Sequence, residues 1–198
     1  MRQLYAHAPA AAFGAVLSGL AMGAFWGLAP VFADRLGYNQ AAIATLMSVT
    51  ILGGGLLQWP LGRLSDAIDR RLALAIVAAL AAILALAAVP ILPHNPIWLY
   101  VVFFLYGGLA FTVYSISVAH LMDRLEPDDM LSGTSTLLLM HGFGAAVGPA
   151  LAGWLLSRFG PIALPLYFAT TLALLSLLAL RRWLIGRPPA PQLAHFVP

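Results

Sequence analysis

Six long apolar runs, separated by short clusters of charge, glycine and proline, organise this sequence. The runs cover about residues 9–33, 40–64, 71–92, 96–122, 130–157 and 161–180. A helix rises ~1.5 Å per residue, so about 20 mostly apolar residues cross a hydrocarbon layer ~30 Å thick. Each run meets that length. None alternates apolar and polar positions, which removes a membrane β-barrel from consideration. The segment Asp34-Arg35-Leu-Gly-Tyr-Asn39 reads as a tight turn with Asn39 as the N-cap of the second helix. The 51 residues 72–122 contain no Asp, Glu, Lys or Arg and are too long for one span. Pro90, Pro93 and Asn95-Pro96 divide them, with Asn95 as N-cap and Pro96 in the first helical turn. Asp123 to Asp129 and Arg158 to Pro161 supply the remaining breaks. The pattern predicts an all-α membrane protein of six transmembrane helices. Residues 1–8 form an N-terminal segment, 9–187 the transmembrane domain, and 188–198 a proline-rich disordered tail.

The densest charge lies in residues 60–71, where Arg63, Asp66, Asp69, Arg70 and Arg71 fall between two apolar runs. This stretch reads as a loop turning at a membrane face. Arginine placement orients the helices. Arg2, Arg63, Arg70, Arg71, Arg124, Arg181, Arg182 and Arg187 fall on one side, and Arg35 and Arg158 on the other. By the positive-inside rule, both termini are expected in the cytoplasm.

Within the spans, Gly19, Gly23 and Gly27 recur every four residues and share one helix face, where a second helix can approach closely. Gly53-Gly54-Gly55 marks a tight crossing or a bend in the second span. The third and sixth spans, nearly all Ala, Leu, Ile and Val, are expected to face lipid. Each triplet of spans opens on a helix richer in glycine, aromatic and hydroxyl residues and closes on a featureless one. That is the arrangement of a three-plus-three repeat.

Composition sharpens this picture. Of 198 residues, 62% are hydrophobic and 9% charged, against about 25% charged in a soluble domain. The net charge of +3 comes from ten basic residues, all arginine, placed at the ends of apolar runs. No basic polar face exists for nucleic acid, so the partner implied is the lipid bilayer. The chain has no cysteine, which excludes disulfides, thiolate nucleophiles and cysteine metal sites. Residues 3–33 carry no charge over 31 positions, longer than the ~7–15 of a signal-peptide core, so a spanning helix is favoured over a cleaved leader. No His-Glu-x-x-His, Gly-x-Ser-x-Gly or Walker-type sequence occurs, and no two acids lie within the spans. The expectation is a non-enzymatic protein with no cofactor and no metal.

Gly62-Arg-Leu-Ser-Asp66-Ala-Ile-Asp-Arg70-Arg71 resembles the signature loop between the second and third helices of each half of the major facilitator superfamily. Gly62, Asp66, Arg70 and Arg71 match it. Ala67 stands where a basic residue is usual, and Asp69 where a glycine is usual. Gly144-Ala-Ala-Val-Gly148-Pro149-Ala-Leu-Ala-Gly153 resembles the glycine-proline motif on the fifth helix of drug-proton antiporters. The resemblance extends to about Arg187. It implies half of a twelve-helix fold. The eroded first motif points to the C-terminal half, similar to the sugar and drug transporter-like branch of uncharacterised bacterial carriers. Ser117-Val-Ala-His-Leu-Met-Asp123-Arg124 and Gln58-Trp-Pro-Leu-Gly62 carry that likeness. It implies a bacterial inner-membrane carrier that moves a small organic solute by alternating access, driven by a solute or proton gradient. Its partner is an N-terminal six-helix half or a second copy. Met1 is then an internal start, a fragment boundary or the start of a half-size gene. The alternative is a membrane interaction module from a truncated transporter that moves nothing.

The resemblance also implies a gate at Asp66, docking on a helix start of the opposite half. A helix N-terminus carries about +0.5 charge, and a carboxylate there gains roughly 0.3–1 kcal/mol. The plainer alternative is that Asp66, Arg70 and Arg71 only anchor the loop and set topology. Without the opposite half, Asp66 is expected to lack its partner unless a second chain supplies one. His141 lies about eleven residues into the fifth span, roughly 16 Å deep. It is a candidate for proton coupling, or a neutral histidine bonded to a neighbouring helix. His120, close to Asp123, reads as an interface or gate residue. Trp26, Gln58, Tyr106, Tyr114, Ser115 and Ser117 are candidates to line a solute cavity, against ordinary packing for each. No acid lies in mid-membrane, so a carboxylate proton site is absent from these spans.

Overall fold

A computed structural model describes residues 9–91 and 96–186 of the chain. Six helices fill it: α1 Pro9–Arg35, α2 Gln40–Ala67, α3 Arg70–Ile91, α4 Pro96–Met122, α5 Met130–Phe159 and α6 Ala163–Ile185. A 3₁₀ turn, Pro127–Asp129, leads into α5. No strand occurs among the described residues. All six helices are long and apolar enough to cross a membrane. The Asn39 carboxamide caps α2, accepting from the Ala42 N–H at 2.9 Å. The Asn95 cap, Arg2, Arg187, the N-terminal segment and the proline-rich tail lie outside the described residues.

The principal packing partners are α1 with α5, α2 with α4, and α3 with α6. Exchanging α1 with α4, α2 with α5 and α3 with α6 turns the first pair into the second and leaves the third unchanged. The three-plus-three repeat is therefore a property of the packing. Glycine permits both equivalent crossings. A Cβ on Gly19 or Gly23 would collide with the backbone of His141 or Ala145, and one on Gly144 or Gly148 with the backbone between Val16 and Leu20. At the α2–α4 crossing, Gly53 lies on the Phe104 backbone and Gly107 on that of Thr50. Between lipid-embedded helices, small residues at the crossing allow the close backbone contact that drives association. The glycine triplet thus makes a crossing, and α2 runs through it as one helix.

Two sequence expectations are corrected. Most of the 60–71 stretch is helical: α2 continues to Ala67 and α3 starts at Arg70, leaving only Ile68 and Asp69 between them. The reason lies in Asp69. Its Oδ1 accepts the Arg71 N–H at 2.8 Å, capping α3 from the position where the family motif has glycine. The second concerns extent: only one face of α3 and of α6 is left exposed. The featureless α3 and α6 pack on each other, Leu74, Ala78, Ala81, Phe168, Leu172 and Leu175 on them are buried, and Ser176 donates to the Ala75 carbonyl at 2.8 Å. Alanine-rich faces are flat enough to bury against another apolar helix, so a lack of polar groups does not single out a lipid-facing helix. Half or more of the spans in α1, α3, α4 and α6 is buried, against 22% in α2 and in α5. The widest open faces belong to α2 and α5.

Candidate functional site

At the arginine-rich end, Arg70 and Arg71 tie four helix ends together. The Arg70 guanidinium meets Asp66 at 2.5 Å, Asp123 at 3.0 Å and the Ser65 hydroxyl at 2.7 Å. It thereby joins the end of α2 to the end of α4. Arg71 holds Asp69 through two hydrogen bonds, at 2.7 and 3.0 Å, and reaches the Arg182 carbonyl near the end of α6 at 3.2 Å. Asp66 therefore has an ion-pair partner within its own chain, because Arg70 begins the next helix one turn away. Asp66 and Asp123 are largely exposed, and such ion pairs stabilise by only about 0–1 kcal/mol. Their effect is to fix where helix ends sit. Asp66, Asp69, Arg70, Arg71, Asp123 and Arg124 line an open cavity of about 800 Å³. Gly62 shows no packing reason to be glycine: a Cβ there would meet nothing within 4 Å.

Hydrogen bonds from Arg71 hold the Asp69 carboxyl below its ordinary pKa of 3.8, opposed by partial burial. Because the folded value lies below the unfolded one, the resulting stabilisation is complete above the unfolded value. It disappears as pH falls through the folded value. Asp69→Asn retains a capping oxygen but not the charge. In detergent at pH 7 it is expected to cost no more than about 1 kcal/mol, given solvent screening. The difference from the parent should close below the ordinary carboxylate range, which thermal melts across pH would register.

The second constellation lies deep in the bundle. The Gln58 amide donates to the Ser115 hydroxyl at 2.5 Å, joining α2 to α4. One residue before Ser115, the Tyr114 ring stands 4.4 Å from the His141 imidazole on α5. His141 Nδ1 lies 3.1 Å from the Ser18 hydroxyl and 3.2 Å from the Ala15 carbonyl on α1. A carbonyl only accepts, so Nδ1 carries the hydrogen in this arrangement and Nε2 keeps its lone pair. Counted from the arginine-rich helix ends, Ser18, Gln58, Tyr114 and His141 all lie roughly 12–17 Å deep by helical rise. Four helices thus place their polar side chains in one layer at mid-membrane depth. The α4 positions 111, 114, 115 and 118 of this face are half-buried while their neighbours 112, 113, 116 and 117 are buried.

The other candidates divide. Trp26, about half exposed, packs against Phe25 and Phe111, about two turns beyond Ser18 on the side away from the arginines. Tyr106 is buried in the apolar core between Phe103 and Phe168 and is not brought to this layer. Gly148 and Pro149 form the α1 seam, on Leu20 and Gly27 respectively. Pro149 lacks the N–H that would bond the Ala145 carbonyl, and Gly23 gives that carbonyl room. Ser117 is buried and bonds the Val113 carbonyl within its own helix. Ser18 and Ser65 escaped sequence reasoning. Ser18 had a signal, being a hydroxyl in mid-span among alanine and glycine, whereas Ser65 had none apart from its neighbour Asp66.

Six spanning helices paired by an internal two-fold, with a charged motif at one end and a polar layer at mid-depth, define one repeat-built unit of a secondary-transporter fold. The Major Facilitator Superfamily profile matches residues 11–196. The chain belongs to that superfamily of membrane transporters and is an integral membrane protein. Its relatives include the Uncharacterized MFS-type transporter YcaD of Escherichia coli O17:K52:H18 (strain UMN026 / ExPEC), 30% identical over 182 residues, covering 92% of this chain and 46% of the relative. YcaD of Shigella flexneri serotype 5b (strain 8401) is 29% identical over the same shares. The chain spans about half the length of these relatives. No solved structure matches it.

Proposed function

We propose that this chain forms six helices of a gradient-driven carrier that moves a small organic solute across the bacterial inner membrane by alternating access, with both described helix ends rich in arginine facing the cytoplasm. The observation that carries this reading is the mid-depth layer of Gln58, Ser115, Tyr114, His141 and Ser18 on a half-buried face. A polar group turned towards hydrocarbon is costly, and ionisable ones within spans favour cavities and protein interiors. Such a face therefore suits a water-filled path in which Gln58, Tyr114 and His141 hold solute, Trp26 shapes the pocket, and His141 is suited to accept a coupled proton. A proton on imidazole is exchangeable near neutral pH, which a coupling residue requires.

The second half of the carrier is an N-terminal six-helix unit or a second copy of this chain. Supporting this, α2 and α5 are the least buried helices. Gly55, Gly62 and Gly142 on them face open space where a Cβ would touch nothing. On this reading Asp66 exchanges Arg70 for a helix start across the interface as the cytoplasmic side closes, and Gly62 lets the halves approach. Gly62→Leu is expected to leave the melting of the chain within about 0.5 kcal/mol while reducing co-purification of the second half.

Flux into proteoliposomes holding the complete carrier, with and without a pH gradient, tests the proposal. Asp66→Asn should abolish flux while membrane insertion and the amount of protein are retained. Unchanged flux in that variant would remove the gate. No flux across a broad panel of solutes would point to a structural module.

A further inference from the structure

A second, smaller cavity of about 210 Å³ lies at the arginine-rich end and shares Arg71, His120, Arg124 and Gly186 with the larger one. Arg71, His120, Arg124 and Arg182 line it, together with Pro9 and Ala10 at the start of α1. No carboxylate is among its described lining residues, whereas the larger cavity beside it holds Asp66, Asp69 and Asp123. His120 is 3% exposed, and its Nε2 is buried without a hydrogen-bond partner among the described residues. A buried polar nitrogen of this kind is rare in folded proteins and calls for a partner.

We propose that this cavity is a binding site for a phosphate oxyanion, held by His120 Nε2–H, the Arg182 and Arg124 guanidiniums, and the positive end of α1. It is separate from the solute path and does not depend on transport. A cation is excluded by three arginines, and a neutral solute has no need of them. A tetrahedral oxyanion presents acceptors in several directions at once and matches donors that converge from α1, α4 and α6. Arg71 is positioned in advance: Asp69 holds its Nε and Nη2, and Nη1 rests on the Arg182 carbonyl. The α1 start adds the partial positive charge of a 27-residue helix. Burial and the neighbouring Arg71 push the Arg124 guanidinium down from its ordinary value, against the pull of Asp69 and Asp123. An anion would relieve that local excess of positive charge. The level of the cavity, at the helix ends, makes a phospholipid headgroup and free phosphate the two sources of this chemistry.

The test uses the full chain in detergent. Thermal unfolding is followed with inorganic phosphate, or with short-chain phosphatidylglycerol, against chloride at matched ionic strength. The expected result is a rise in melting temperature with phosphate, with phosphatidylglycerol, or with both. Which of the two acts identifies the source. Arg182→Gln, at an exposed position, should raise the half-saturating concentration about tenfold or more, as the loss of one charge-assisted hydrogen bond implies. His120→Leu should abolish the shift without lowering the melting temperature in chloride, because it removes a buried polar atom with no partner among the described residues. Arg158→Gln, at the opposite end, should leave the response unchanged. No shift with either probe, or a half-saturating concentration unchanged by Arg182→Gln, would overturn the proposal. The Arg182 variant decides the matter if His120→Leu fails to fold.

Discussion

Gly23→Leu is expected to destabilise the bundle by roughly 3 kcal/mol or more, at the upper end of what overpacking a core normally costs. The neighbour that a new side chain would strike is the Ala145 backbone, including the carbonyl beside Pro149. A side chain there could rotate away, but a helix backbone cannot move without displacing α5 from α1. Gly148→Leu should behave alike, since the same seam presents Leu20 backbone from the other side. Gly55→Leu supplies the contrast. Its Cβ meets nothing within 4 Å, so the same chemical change should leave stability nearly untouched. Denaturation in detergent micelles distinguishes the two outcomes. Equal effects at Gly23 and Gly55 would mean that helix propensity rather than helix approach governs these positions.

The second large effect is expected on flux. Gln58→Leu and His141→Leu each remove a hydrogen-bonding group from the mid-depth layer. In the complete carrier each should lower the initial rate of solute uptake about tenfold or more, the effect of losing one polar contact of about 1.4 kcal/mol. Folding should be spared, since the α1–α5 and α2–α4 crossings are built from glycine contacts rather than from these side chains. His141→Leu should also flatten the response of uptake to a pH gradient, and Gln58→Leu should not. Tyr106→Phe, at a position enclosed by Phe103 and Phe168, should change uptake little.

Helix number and most helix starts were legible because they follow from length and from the one solvent change each chain segment undergoes. Apolar runs and arginine positions suffice for that. The glycine spacing at Gly19 and Gly23 foretold close approach, although not that α5 would be the partner. Partner choice depends on the pseudo-two-fold, which sequence showed only as a faint resemblance between triplets. For α3 and α6 the sequence did not show that one face of each packs inside the bundle while the other stays exposed, since lipid and a neighbouring alanine-rich helix make the same demand on side chains. The intrachain pair of Asp66 with Arg70 went unread, because the family pattern directs attention across the interface and away from Arg70 one turn on. For the candidate site, Gln58, Tyr114 and His141 were legible as polar groups in apolar runs. Their convergence was not, because it requires α1, α2, α4 and α5 to be placed at a common depth. Tyr106 shows the converse: an amphipathic residue in the expected helix, turned by 100° per residue onto the core side.

The central claim is that the polar layer opens on water while the outer face of α3 meets lipid. Since the chain has no native cysteine, single cysteines report on this without background. Ser115→Cys and Ile83→Cys both lie deep in the span, the first in the polar layer and the second on an exposed apolar face. In membranes of cells expressing the gene in its natural context, a small membrane-impermeant maleimide should label S115C and leave I83C unlabelled. Equal silence at both positions, or labelling of I83C alone, would contradict the account.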